Sequence, residues 1–172
     1  IVITTKKYKK LIKSKKISVQ TINQTNSLLN TLIKSEQILK KNKNYLLTSC
    51  DCFGEFNKTD VLSCNKADLI IFGFKFSNLQ KKLSNSHTQL VVKSNKIIDI
   101  CVKEKYKNGL LGHAGFFWIK KPKVFDYLKE FKLTKKYRQL KREALIDDYF
   151  KFLIKKHNVK ISFKILNYYV HI

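Results

Sequence analysis

The sequence predicts an α/β protein, three layers (α/β/α) around a mixed and mainly parallel central sheet. Three observations carry this. Short β-branched runs occupy 1–5 and 17–22. Leu28, Leu29, Leu32, Ile33 and Leu39 then recur at helical spacing, so roughly residues 27–41 form an amphipathic helix packed on a sheet. An apolar strand at 45–49 follows, which completes a βαβ crossover of the kind that builds parallel sheets.

The middle of the chain changes character. Residues 68–76 read as a buried strand, with Leu69-Ile70-Ile71-Phe72 continuous and apolar. Segments 89–93 and 97–103 pair as a hairpin around Ser94-Asn95-Lys96, with Asn95 suited to the turn. An aromatic strand spans 112–119. Pro122 opens a helix at a favoured first-turn position, and Val124, Phe125, Leu128 and Phe131 give it one apolar face. A second helix is expected from about 142 to 156, with Leu145, Tyr149, Phe152 and Leu153 inward. A strand at 159–165 alternates apolar and polar residues.

Composition bounds the reading. At 172 residues, 44% of them hydrophobic, the chain is one domain with a real core. No apolar run approaches the ~18 residues of a membrane span, and lysines interrupt the opening apolar run before a secretory leader could form. The expectation is a cytoplasmic protein. The chain has no methionine, opens on Ile1-Val2-Ile3 and closes on Tyr169-Val170-His171-Ile172, so both ends read as cut through structure. A single domain over 1–172, truncated at both ends, is expected.

The net charge of +24 invites a nucleic-acid reading, because lysines that neutralise phosphates bind them without regard to sequence. Against it, only Arg138 and Arg142 of the 36 basic residues are arginine, the side chain that grips phosphate bidentately. The lysines are also spread from Lys6 to Lys164 instead of gathered on one element. Nucleic-acid binding is the weaker reading. Cys50, Cys52, Cys64 and Cys101 form no CxxC pair, so buried free thiols are expected ahead of a zinc site.

Four segments carry candidate chemistry. Asp51 ends the apolar 45–49 strand, and in α/β proteins the loops at strand carboxyl ends are where ligands bind. A carboxylate there can hold Mg²⁺ against a phosphate-bearing substrate, or it can simply start a turn. Glu104-Lys105 lies at a strand end before a polar loop containing Gly109. In Gly112-His113-Ala114-Gly115, small residues let a ligand approach the backbone while the aromatics after them pack behind. His113 itself reads as a satisfied structural histidine ahead of a catalytic base. Glu143, Asp147 and Asp148 fall in the first turns of the expected 142–156 helix, where the helix dipole alone accounts for acidic residues.

In their order and spacing these segments resemble the sugar-phosphate nucleotidyltransferases, the GT-A-like enzymes that join a sugar 1-phosphate to a nucleoside triphosphate, and most of all those of surface-polysaccharide gene clusters. The resemblance implies the nucleotide-diphospho-sugar transferase fold and release of pyrophosphate. It implies Mg²⁺ on Asp51, a catalytic role for Asp51 and Lys105, and substrate contacts from Glu104, Gly115, Glu143, Asp148 and Thr25. His171 stands where many members have a second metal-binding Asp. The partners implied are a nucleoside triphosphate and a sugar 1-phosphate, with no membrane and with a homo-oligomer left open. The sequence departs from the family in lacking the amino-terminal glycine-rich phosphate loop, and in placing Tyr106 after Lys105 where proline is usual. A non-catalytic or regulatory member, or a GT-A glycosyltransferase using a finished sugar nucleotide, is the alternative.

Overall fold

A computed structural model describes residues 2–4, 19–21, 27–39, 44–48, 52–82, 87–94, 96–140 and 142–171. Its centre is β5 (Leu69–Phe74), in which every residue is buried. That pattern requires cover on both faces of the sheet, as the unbroken apolar run predicts. Pairings run from β3 (Tyr45–Thr48) through β8 (Leu111–Ile119), β5, β9 (Ile161–Ile165) and β7 (Lys96–Cys101) to β6 (Gln89–Lys93), and β6 pairs again with the start of β8.

The sheet is mixed, as expected, but it is not mainly parallel. Only β5–β9 is parallel within it; β3–β8, β5–β8, β6–β7, β6–β8 and β7–β9 are antiparallel. The expected crossover from 17–22 to 45–49 explains the error. β2 (Val19–Thr21) pairs in parallel with β1 (Val2–Thr4), whereas β3 joins the main sheet against β8. A helix between two strands signals a crossover but does not say which neighbours they take.

One face of the sheet is covered by helices. Leu29, Leu32 and Leu39 of α1 (Leu28–Leu39) meet Val124 and Phe125 of the 3₁₀ turn Pro122–Phe125, then Leu128 and Phe131. The same cluster takes in Tyr149, Phe150 and Leu153 further along the chain. Each such side chain is worth roughly 1.5–3 kcal/mol on burial, so this face is the main store of stability. The other face lacks a full helical layer. Ile70, Phe72, Phe74 and Phe116 are covered there by Val61 of α2 (Lys58–Ser63), by Leu166, and by Cys52 and Tyr169. The last two belong to a two-stranded ribbon, β4 (Cys52–Glu55) with β10 (Tyr168–His171).

Remaining helices are short: α3 (Asn78–Lys82), α4 (Leu128–Leu133) and α5 (Lys135–Arg138). Helix α6 spans Ile146–Lys156, four residues later than the sequence pattern suggests. Leu145 is extended, and the Asp148 carboxylate accepts the Leu145 N–H at 2.9 Å, closing the helix start. Glu143 therefore lies in the lead-in and not on the helix. The hairpin forms, but Lys96, expected in the turn, pairs with Lys93 in the strand, and the register shifts between Val91 and Val92; Ser94 stands at φ 48° in the turn, and Asn95 lies outside the described residues.

Asp68 fastens the far end of β5. It is fully buried, with Lys121 at 2.8 Å, Lys123 at 2.9 Å and the Lys160 N–H at 3.0 Å. Burial pushes this carboxyl up, but the two ammonium groups and the N–H outweigh burial and hold it below its usual range. These contacts rigidify the end of the sheet opposite the cavity described next.

Candidate active site

Strand β8 is the origin of the site. Its pairing with β5 slips between Ile71↔Phe117 and Gly73↔His113, so β8 carries extra residues there. Gly115, at φ 76°, takes the left-handed conformation that such a bulge requires. With β5 along one edge of β8, the other edge is shared: β6 holds Leu111 and Gly112, and β3 holds 116–119. His113–Gly115 mark the gap between them. A break in strand order of this kind is where α/β sheets bind ligands.

A cavity of about 270 Å³ opens at that gap. It is walled by Ser27 and Leu28, Cys52, His87 and Thr88, Lys103, His113, Gly115 and Phe117, Leu145–Asp147, and Tyr169. Pockets for drug-sized ligands run ≈ 300–1,000 Å³, so this one suits a single small polar molecule. Two helix N-termini reach it, those of α1 and α6. Ser27 caps α1, its Oγ accepting the Asn30 N–H at 3.0 Å, and the first turn of α1 carries no acidic residue. The positive end of that helix therefore favours an anion in the cavity. Lys103 adds a cation from a turn residue at φ 55°.

Within the wall lies a buried histidine–carboxylate pair. His113 Nδ1 is 2.9 Å from Asp147 Oδ1, and Thr88 Oγ1 donates to Asp147 Oδ2 at 3.0 Å. The His113 N–H donates to the Thr88 carbonyl at 2.8 Å, so backbone and side chains hold one another in register. Burial pushes the Asp147 carboxyl up, but His113, Thr88 and Lys103 together hold it below its usual range. Phe117 packs against the imidazole with ring centroids 4.5 Å apart.

The structure distributes the expected site residues unevenly. Gly115 lines the cavity. Gly112 does not; a Cβ there would sit 2.3 Å from the Phe74 ring, so its smallness serves packing. Asp148 is absent from the wall because its oxygens are committed: Arg142 grips both at 2.8 Å, and the Leu145 N–H takes one. Its neighbour Asp147 faces the cavity instead. Glu143 is exposed. Glu104 and Lys105 also lie outside the lining, with Glu104 paired to Lys107 at 2.7 Å, and the cation in the wall is Lys103.

Gln89 sets the position of that loop. Its Nε2 donates to the carbonyls of Glu104 (2.8 Å) and Lys105 (3.1 Å), and its Oε1 accepts the Lys107 N–H (2.9 Å). Sequence reasoning missed Gln89, His87, Thr88 and Lys103. A buried polar residue at the start of a strand leaves no mark in the hydrophobic pattern.

Asp51 and Thr25 lie outside the described residues. The register of β10 on β4 places His171 opposite Cys52, the residue that follows Asp51 in the chain; the His171 side chain lies outside the described residues. Among the described residues no three His, Cys, Asp or Glu side chains gather into a metal site, and no helix is long and apolar enough to cross a membrane.

No family model and no curated protein sequence matches the chain. Solved structures do. A Bacillus anthracis protein assigned as a glucose-1-phosphate thymidylyltransferase superposes with a TM-score of 0.66 over 90% of this chain, at 16% identity. A nucleoside-diphosphate-sugar pyrophosphorylase from Vibrio cholerae gives 0.65 over 86%, at 14% identity. The inositol-1-phosphate CTP transferase from T. maritima gives 0.70 over the whole chain, at 11% identity. The fold is that of the sugar-phosphate nucleotidyltransferases. The chain spans 58%, 60% and 69% of these three proteins' lengths, respectively.

Proposed function

We propose that the protein of which this chain forms the described domain is a nucleotidyltransferase. It joins a sugar 1-phosphate to a nucleoside triphosphate. A phosphate oxygen of the sugar 1-phosphate attacks the α-phosphorus, a new P–O bond forms, and the bond to the β-phosphate bridging oxygen breaks to release pyrophosphate. The observation that carries the reading is the cavity at Gly115, reached by the acid-free N-terminus of α1 and by Lys103, in a fold shared with enzymes named for this chemistry. Its volume suits the sugar phosphate alone, so the triphosphate would lie outside it.

In-line phosphoryl chemistry asks the protein mainly for positioning and charge neutralisation. Lys103 would neutralise the sugar phosphate from the wall, with Lys105 on the same loop, which Gln89 holds in place. Glu104 and Glu143 would act from the rim, and Asp148 through the Arg142 and Leu145 contacts that shape the start of α6. Asp51 is the proposed Mg²⁺ ligand, with Thr25 near the nucleotide. A divalent ion would supply charge neutralisation on the triphosphate. Mg²⁺ is usually held by one or two carboxylates plus substrate phosphates, which Asp51 alone satisfies; His171, an imidazole, is the softer donor. We assign the product to nucleotide-sugar supply for surface polysaccharide.

The test is a matrix of five nucleoside triphosphates against a set of hexose 1-phosphates, with pyrophosphate as readout. One pair should release pyrophosphate only when both substrates and Mg²⁺ are present. Consumption of a finished nucleotide sugar with no pyrophosphate would instead make the protein a glycosyltransferase.

A further inference from the structure

We propose that His113 is the sugar-recognising residue of this cavity: its Nε2, held in place by Asp147 and Thr88, takes a hydroxyl oxygen of the bound sugar phosphate. The inference rests on the reading of the cavity as a sugar-phosphate subsite, and names the residue that selects among sugars there.

Three observations and one principle carry it. His113 lines the cavity, yet only 8% of its surface is exposed. Its Nδ1 is committed to Asp147 at 2.9 Å, whereas Nε2 is buried with no hydrogen-bond partner among the described residues. A histidine kept only for packing is normally satisfied at both nitrogens, because an unmade bond in the interior is expensive. Finally, the pair is supported: Thr88 holds the second Asp147 oxygen, and the Thr88 carbonyl takes the His113 N–H. A His fixed at one nitrogen by a carboxylate and open at the other is arranged to present the second nitrogen to a ligand.

The surroundings define what Nε2 can take. Besides His113, the polar and titratable groups of the wall among the described residues are Asp147 on α6, Lys103 after β7, His87 and Thr88 before β6, Ser27 before α1, and Cys52 and Tyr169 on the ribbon. Among the described residues of the wall only Asp147 is acidic; Thr88 donates to one of its oxygens and His113 Nδ1 stands 2.9 Å from the other. A neutral hydroxyl is accommodated at Nε2 as acceptor or donor according to the proton on that nitrogen. Phe117 backs the ring and fixes its plane. Reaching Nε2 requires a side chain of the wall to turn aside, a change of the size that accompanies ligand binding in most proteins.

The experiment uses the full protein and reads binding, not turnover. Hexose 1-phosphates and their monodeoxy analogues are titrated by calorimetry into the wild type, His113→Phe and His113→Gln, with a nucleoside triphosphate as control ligand. In parallel, the His113 Nε2 resonance is followed by ¹⁵N NMR in the wild type. The expected result is that one sugar phosphate shifts the Nε2 signal and that His113→Phe binds it about tenfold or more weakly. The triphosphate should bind both proteins equally. The analogue lacking the partner hydroxyl should lose the same factor on the wild type and nothing further on His113→Phe.

Binding with an unmoved Nε2 signal and unchanged affinity in His113→Gln overturns the role of His113 and leaves the enzyme reading standing. Failure of every sugar phosphate to bind a protein that still binds triphosphate overturns both. The wild-type NMR arm decides the matter even if both variants fail to fold.

Discussion

Replacing Asp147 by alanine separates a supported histidine–carboxylate pair from an incidental one. The hydrogen bond from Thr88 at 3.0 Å and the close contact with His113 Nδ1 at 2.9 Å, both to an ionised carboxylate, are lost. Bonds to charged groups contribute about 1.5–3 kcal/mol each. The interaction with the N-terminus of α6 adds roughly 0.3–1 kcal/mol. Against these stands the desolvation cost of a buried carboxylate, which the alanine variant no longer bears. The balance is a loss of about 2–4 kcal/mol, or a fall in Tm of ~4–16 °C at ~2–4 °C per kcal/mol for a domain of this size.

Urea melts of wild type, Asp147→Ala, His113→Phe and the double variant close a cycle. Contacting residues couple by ~0.5–3 kcal/mol, and a pair this buried belongs in the upper half of that range. The sign with pH also follows. Because the folded carboxyl sits below its usual value, its contribution is complete above about pH 4 and is lost as pH falls through the folded pKa. The gap between wild type and Asp147→Ala should therefore narrow in acid. A loss under ~0.5 kcal/mol at neutral pH, or additive single variants, would refute the reasoning.

Gly115→Ala should cost about 1–2 kcal/mol, because φ 76° brings a Cβ against the next carbonyl; the same substitution should weaken sugar-phosphate binding, and unchanged values on both counts would argue against the bulge as a site wall. Asp68→Asn should leave sugar-phosphate binding intact while flattening the loss of stability in acid. The Asp68 carboxyl too is held below its usual range, so its share is present above about pH 4 and disappears below; pH-dependent melts check this. Gln89→Leu strands two carbonyls and one N–H of the Glu104–Lys107 loop. Its effect should show as faster amide exchange at Lys107 and a loss of roughly 1–3 kcal/mol, and unchanged exchange would dissociate Gln89 from that loop.

Much of the fold was legible because it is written in periodicity. The Leu29-Leu32-Leu39 face, the unbroken Leu69–Phe72 run and the 89–101 hairpin all form where the pattern puts them. What the pattern could not show is pairing. Strand β3 is apolar enough for a parallel neighbour, yet it lies against β8, because side-chain period reports burial and not direction. Ribbon β4–β10 escaped because its strands are four residues each and half exposed.

The site was legible by segment more than by residue. Gly115 lies in the wall, and the acidic pair before Tyr149 sits in the first turn of α6, a helix that the sequence pattern started four residues too early. Which acid faced inward depended on Arg142, whose bidentate grip turns Asp148 into a structural group and leaves Asp147 to the cavity. Lys103 replaced Lys105 in the wall for a similar reason. Lys103 is left-handed at φ 55°, and no sequence rule places such a turn on a lysine.

The central claim, that the Gly115 cavity receives the sugar phosphate of a nucleotidyl transfer, is tested most directly by ³¹P NMR of the full protein with its best triphosphate, Mg²⁺ and sugar 1-phosphate. The account predicts that the sugar phosphate resonance is replaced by that of a diphosphate ester, with one pyrophosphate formed for each, and that Gly115→Ala slows the exchange chiefly by raising KM for the sugar phosphate. Diphosphate ester formed by Gly115→Ala with an unaltered KM for sugar phosphate, or no ester from any pairing of substrates, would contradict it.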